Sequence, residues 1–346
     1  MSFRDFLFPY DHKAGHNPAL DGLRGWAVLL VLFGHAFNQG IAPLGAGSLL
    51  VRGKIGVYLF FIISAYLLDR QIIRVWREGR GDKAYWTYYA SRRFLRIYPP
   101  FLLALLVFRV ANSVGLPVVI HAPSEIVEHL FLVRGDHIFW SIPTEFVYYL
   151  LSPLLIAGFA YVLRWSPRGI FAAIVLLALG SLALDFAVEL PRHNTLKYLS
   201  VFMFGLAVAS VESLYPERFA RWTGHRAMPW LAVAAVVVLS VWSVQATGFT
   251  DRSVFLPVGA LLSITLLGAQ GRHFFTQFLR FAPFRLIGAW SYSLYLFHIP
   301  VLMWVKTWQI GLWGQFLSFL VLSFFAGFLI HVTVERPFLK LSTLRR

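Results

Sequence analysis

Long apolar stretches recur along the whole chain, each close to the ~20 residues that carry a helix across a bilayer, and each closed by charge, proline or glycine. They predict helices over 24–42, 55–72, 97–115, 141–163, 169–188, 196–213, 228–247, 252–270, 286–306 and 312–334. The pattern therefore describes an all-α polytopic membrane protein of about ten transmembrane helices, with residues 1–346 forming a single integral membrane domain.

Composition sharpens that picture. Apolar residues make up 58% of the chain and charged residues only 14%, against roughly a quarter charged in a soluble domain. Little sequence is left for a separate globular domain. The absence of cysteine excludes disulfides, thiolate metal sites, cysteine nucleophiles and palmitoylation. The opening segment MSFRDFLFPYDHKAGHNPAL is mixed and polar and lacks the compact apolar core of a cleavable signal, so the first span is expected to stay in the protein.

The net charge of +15 would suggest nucleic acid in a soluble chain, but here its distribution follows membrane sidedness. Ten spans put both termini on one side, and the termini with the even-numbered loops hold 23 of the 31 Lys and Arg residues. Positive-inside sorting therefore places both termini in the cytoplasm, and no nucleic-acid partner is expected. The richest inner segment, Arg70 to Pro100, interleaves basic residues with Trp76, Tyr85, Trp86, Tyr88 and Tyr89. Orientation and contact with anionic membrane lipid explain such a segment. So does a phosphate-bearing cytoplasmic ligand, because guanidinium groups pair bidentately with phosphate.

Ionisable groups inside a span are costly unless they face a protein-lined cavity, and they mark functional sites by default. Three clusters stand out. In LDGLRGWAVLLVLFGHAFNQG, Arg24 and His35 are eleven residues apart, close to three helical turns, so both lie on one helix face about 16 Å apart along the axis. That spacing puts Arg24 at the inner interface and His35 near mid-bilayer. Arg24 also fits a snorkelling anchor. The His35 imidazole suits either an interhelical hydrogen bond or general-base work. In WSIPTEFVYYL, Glu145 sits about one turn inside the span, where it either orients an imidazole, binds a hydroxyl-rich ligand, or ties the span to a neighbour. In GAWSYSLYLFHIP, Ser291, Tyr295 and His298 follow helical spacing and line one face, implying a cavity or a polar helix contact. Ser64 of GVYLFFIISAYLL is a small polar residue that either lines the cavity or permits close helix approach.

The chain lacks an HxxxxD acyltransferase box, a GxSxG elbow, an HExxH zinc helix and a Walker-type phosphate loop, and its eleven histidines show no metal-ligand spacing. No metal site is expected.

In sequence order, LDGLRGWAVLLVLFGHA, GVYLFFIISAYLL, RRFLRIYPP, WSIPTEFVYYLLSP, SYSLYLFHIP and VERPF resemble the acyltransferase-3 family of integral membrane O-acyltransferases, from about residue 18 to 338. The resemblance implies a multi-pass enzyme of the bacterial inner (cytoplasmic) membrane. Such an enzyme moves an acyl group, usually acetyl, from cytoplasmic acyl-CoA to a hydroxyl of an extracytoplasmic glycan or glycolipid. It implies that His35 is the essential catalytic residue and Arg24 its companion, that Arg93 and Arg96 contact the acyl-CoA donor, and that Glu145 is the family's glutamate. Acetyl-CoA or another acyl-CoA enters as donor substrate and no bound cofactor is expected. Carbohydrate or glycolipid acceptor, membrane lipid and polysaccharide-assembly proteins are the expected partners. The chain departs from the family pattern at Ala65, where glycine is common, and at Ile142-Pro143. Two other readings fit buried Arg, His and Glu residues. One is a transporter or flippase for a lipid-linked sugar, although inverted repeats and matched helix breaks are not evident. The other is a scaffold in a polysaccharide-assembly complex.

Overall fold

The computed structural model describes residues 8, 11, 15–43, 53–245 and 251–341. Among these every regular element is helical. In chain order they are α1 (Pro18–Asn38), α2 (Gly53–Arg77), α3 (Lys83–Ser113) and α4 (Pro123–Leu130), then a 3-10 turn (His137–Trp140) leading into α5 (Ser141–Tyr161). There follow α6 (Pro167–Val188), α7 (Thr195–Leu214), α8 (Pro216–Gly224), α9 (Met228–Gln245), α10 (Asp251–Gly268), α11 (Phe274–Leu279) and α12 (Ala282–Ala289). The last elements are α13 (Ser291–Lys306), α14 (Leu312–Ile330), a π-helical segment (His331–Glu335) and α15 (Arg336–Leu341).

Among the described residues, seven helices, or continuous helix runs, are long and apolar enough to cross a membrane, and an eighth span results if the broken pair α12 and α13 is counted as one. Helices Met228–Ser240 and Arg252–Gly268 are apolar but shorter. Each of the ten expected stretches falls on one of these elements, so the protein is multi-pass and all-α. The last residues of the 228–247 stretch and both chain ends lie outside the described residues.

The differences from the expected spans have local causes. Helix α1 begins at Pro18 and ends at Asn38, earlier at both ends than the expected 24–42. Proline is tolerated in a first turn, where its missing N–H would be unpaired anyway. Past the helix end, Gly40 takes a left-handed φ of 76°, which glycine adopts without a Cβ clash. Helix α3 starts at Lys83, well before 97, because the Asp82 side chain accepts a hydrogen bond from the Tyr85 N–H at 2.8 Å and caps it. The basic segment is thus the end of α2, a short turn and the first turns of α3. The expected span 286–306 is interrupted at Trp290, where the backbone leaves helical geometry (φ −96°, ψ 3°).

The chain divides into two compact units, both discontinuous in sequence. One contains the described parts of Met1–Asn38, Leu44–Arg70 and Ser200–Ser291, and the other Gln39–Pro43, Gln71–Leu199 and Tyr292–Arg346.

Within the first unit, α1 packs backbone to backbone against the end of α11 and against α12. A Cβ on Gly22 would collide with the Leu279 carbonyl, one on Gly25 with the Phe284 carbonyl, and one on Gly288 with the Asp21 carbonyl. Bare glycine faces allow such contact because nothing projects between the helices. A second close contact joins α7 to α2, where a Cβ on Gly205 would meet the Ile62 carbonyl and the Ala65 side chain at 2.7 Å. Ala65, the residue that departs from the common glycine, occupies space that Gly205 leaves.

Within the second unit, the start of α5 is held by a polar knot below α4. His129 is fully buried; its Nδ1 donates to the Glu125 carbonyl (2.7 Å), while its Nε2 accepts from the Asp136 N–H (3.2 Å). Arg134 pairs with Glu125, Glu128 and Asp136 around it. Burial holds the His129 imidazole below its usual pKa, consistent with this neutral tautomer.

Candidate active site

The expected site residues fall into two groups, one per unit. In the first unit, Arg24 and His35 are both half-buried on the unbroken helix α1, so their shared face holds in three dimensions. His35 lies in the last turn of this helix. Arg24 donates to the Ser291 hydroxyl at 3.4 Å, and its guanidinium sits 5.9 Å from the centre of the Phe60 ring. Ser291 is fully buried. The glycine contacts between α1 and α12 explain this pairing, because they bring the end of α12 against the first turns of α1. Ser64, half-buried, belongs to the same unit on α2.

That unit holds a further polar cluster. The Tyr66 hydroxyl donates to Glu212 at 2.7 Å, and Arg70 pairs with the other oxygen of Glu212 at 3.1 Å. In this α2–α7 contact the charges of Arg70 and Glu212 answer each other, which is how membrane helices carry polar residues in apolar surroundings.

In the second unit, Glu145 of α5 accepts a hydrogen bond from the Tyr149 hydroxyl one turn later. The Arg93 guanidinium of α3 lies over two aromatic rings, 5.1 Å from the centre of Tyr149 and 5.6 Å from that of Tyr89. Tyr89 donates to the Tyr149 carbonyl at 2.6 Å, which locks α3 to α5 at this level. Arg93 is therefore presented on an aromatic platform, where the ring faces supply electron density to the cation. Arg96, one turn further along α3, lies within electrostatic range of Tyr149, Tyr292 and Glu335.

Glu335 was not among the candidates read from the sequence, yet its carboxylate is the acidic centre of this region. It is 2% exposed, accepts from the Ser293 hydroxyl at 2.8 Å, and faces His331 Nδ1 at 3.0 Å. The five residues His331–Glu335 form a π-helix, a local widening often found at functional positions. The available signal was a His and a Glu four residues apart after an unbroken apolar run. Tyr149 and Tyr292 were missed because tyrosine in an apolar helix looks like packing; the Tyr292 hydroxyl donates to the Ile97 carbonyl at 2.9 Å.

Tyr295 and His298, expected as cavity lining, are both buried. The Tyr295 hydroxyl donates to the Ile138 carbonyl and accepts from Ser141 (2.9 Å), while His298 Nδ1 bonds the Tyr295 carbonyl at 2.8 Å. The Tyr295 bonds join α13 to the 3-10 turn and to the start of α5, while the His298 bond stays within α13.

A family model described as an acyltransferase domain matches residues 17–332. The chain belongs to the acyltransferase-3 family. This bears out the resemblance read from its motifs. The O-acetyltransferase OatA of Staphylococcus aureus is 24% identical over 339 residues, covering 85% of this chain and 52% of its own length. The peptidoglycan O-acetyltransferase OatA of Listeria monocytogenes is 23% identical, covering 82% of this chain and 49% of its own length. The chain thus spans about half the length of these OatA relatives. The acyltransferase MdmB of Streptomyces mycarofaciens is 27% identical over 382 residues, with 95% of this chain and 93% of the relative covered. No solved structure matches.

Proposed function

We propose that this acyltransferase-3 member is a membrane O-acyltransferase. It moves an acyl group, acetyl in the leading form, from cytoplasmic acyl-CoA to a hydroxyl of an extracytoplasmic glycan or glycolipid. The observation that carries the reading is the shared α1 face of Arg24 and His35, in a chain whose family is that of acyltransferases. The names of the OatA relatives support acetyl as the group moved. The basic loops and the bacterial relatives support a place in the bacterial cytoplasmic membrane with both termini inside.

In this mechanism Arg24, Arg93 and Arg96 bind donor phosphates on the cytoplasmic side. His35 removes the proton from the acceptor hydroxyl. The resulting oxygen attacks the thioester carbonyl, the C–S bond breaks, and the thiolate leaves as CoA and takes up the proton. In a two-step variant His35 attacks first, carries the acyl group, and passes it to the acceptor. Glu145, held by Tyr149, orients an acceptor hydroxyl or the imidazole.

The test follows radiolabel from acetyl-CoA in membranes carrying wild type or His35→Ala, with protein, glycan and lipid fractions separated. Label reaching a glycan or glycolipid only with His35 intact is the expected result. Equal labelling by a correctly inserted His35→Ala protein would remove the assignment.

A further inference from the structure

The turn between α2 and α3 closes a second polar site, at a distance along α3 from Arg93 and Arg96. A cavity of about 460 Å³ opens there, lined by Gln71, Arg74, Arg80, Asp82, Tyr85 and Tyr88 with two small apolar residues. Its size falls within the range of small-molecule pockets, roughly 300–1,000 Å³.

The walls are fixed rather than loose. Just past the end of α2, Gly79 takes φ 65°, and the Arg80 N–H bonds the Val75 carbonyl (3.0 Å) while the Gly79 N–H bonds the Trp76 carbonyl (3.2 Å). On the other side, Asp82 caps α3 and the Trp86 indole N–H donates to the Gly81 carbonyl at 3.0 Å. Tyr88 is pinned in turn, because its hydroxyl accepts from Arg92 at 2.9 Å. The pocket thus presents two guanidinium groups, two half-buried tyrosine rings and one carboxylate in a preformed frame.

Both guanidinium groups are held by one counter-ion. Glu78 pairs with Arg80, and with Arg74 at 3.9 Å. A ligand phosphate offers more acceptor oxygens and more charge than a carboxylate, so it displaces Glu78 from two arginines at once. The tyrosine rings suit the flat face of a base. Asp82 accepts from an amino or hydroxyl group, which a base and a ribose carry.

Helix register links this pocket to the donor residues. Tyr85, Tyr88, Arg92 and Arg96 follow one another at three- and four-residue spacing and share one stripe of α3. From Tyr85 to Arg96 the rise is about 16 Å, so the stripe leads from the pocket toward the arginines that take the rest of the donor's phosphate chain. We propose that this pocket binds the adenosine 3′,5′-bisphosphate end of acyl-CoA, with Glu78 as the counter-ion that the ligand displaces. The inference rests on the acyl-CoA reading above and adds to it the place where the donor's nucleotide sits.

The test uses the full chain in neutral detergent, with CoA binding measured by calorimetry and adenosine 3′,5′-bisphosphate as competitor. Arg74→Ala and Arg80→Ala should each weaken CoA about tenfold, the loss of one charge-assisted contact. They should weaken dephospho-CoA less, and Glu78→Gln should tighten CoA. Unchanged CoA affinity in both arginine variants, with unfolding midpoints like the wild type, would overturn the pocket while leaving the donor reading intact. Phosphatidylglycerol competing as well as the nucleotide would also overturn it, in favour of a lipid headgroup. A folded wild type that binds neither CoA nor acetyl-CoA would instead bring down the donor reading itself.

Discussion

At the scale of single residues, the candidate site consists of charged groups that are each answered by a neighbour of complementary character. Arg24 has a buried hydroxyl and a ring face, Arg93 has two ring faces, and Glu145 has a phenol. The phenol matters because a hydrogen bond to a carboxylate both stabilises its charge and fixes its direction. Tyr149→Phe should therefore lower kcat/KM about tenfold, the equivalent of one charge-assisted hydrogen bond, with little change in membrane insertion; steady-state kinetics on proteoliposomes check this. Arg24→Lys should raise the KM for acyl-CoA while retaining the positive charge, because a lysine ammonium cannot present the planar fork that Arg24 directs toward Ser291. The Arg24 and His35 pair was legible in the sequence because helical periodicity alone puts them on one face. Glu335 was not, because its significance depends on Ser293, distant in sequence, and on a π-turn that no residue pattern announces.

At the scale of elements, the α1–α12 contact controls the position of Ser291 relative to Arg24, and it rests on two glycines, Gly25 and Gly288, that face backbone carbonyls. Gly288→Ala should cost about 1–3 kcal/mol, the usual penalty of overfilling a packed contact, seen as a lowered thermal midpoint of the purified protein. The same variant should lose activity beyond its loss of folded protein, since α12 leads directly into Ser291. Sequence showed these glycines in LDGLRG and IGAW but not what they face, because the partner carbonyls are supplied by segments far apart in the chain. The α4 knot carries a pH signature. Burial lowers the His129 pKa in the folded protein, so the unfolded chain binds the proton more readily. Its contribution to stability is therefore complete above the unfolded value near 6.5, and is lost as pH falls from there through the lower folded pKa. Protonation would also force a donor onto Nε2, against the Asp136 N–H. Unfolding midpoints measured between pH 7.5 and 4.5 should drop more steeply for wild type than for His129→Gln.

At the scale of the whole molecule, the proposed orientation can be read directly because the chain has no cysteine of its own. Exposed positions Arg218 and Glu189 fall in loops assigned to opposite sides. In intact cells, Glu189→Cys should react with a membrane-impermeant maleimide and Arg218→Cys should react only after permeabilisation. The reverse pattern would invert the topology and place the basic α2–α3 turn away from cytoplasmic acyl-CoA. Both units draw on segments from separate parts of the chain, so deleting a terminal third should leave neither unit whole.

The sequence by itself determined the helical, multi-pass character, the family, the clustering of basic residues and the common face of Arg24 and His35. These follow from hydropathy, charge count and a 3.6-residue period, all of which are local or additive along the chain. Tertiary structure decided what each polar group meets: Ser291 against Arg24, Tyr149 against Glu145 and Arg93, Ser293 against Glu335, and Glu78 clasping Arg74 and Arg80 at the mouth of a pocket. Most of these depend on backbone breaks and close helix approaches, at Gly79, Trp290 and the π-segment. Such features are set by packing between distant segments, and only the folded chain brings those segments together.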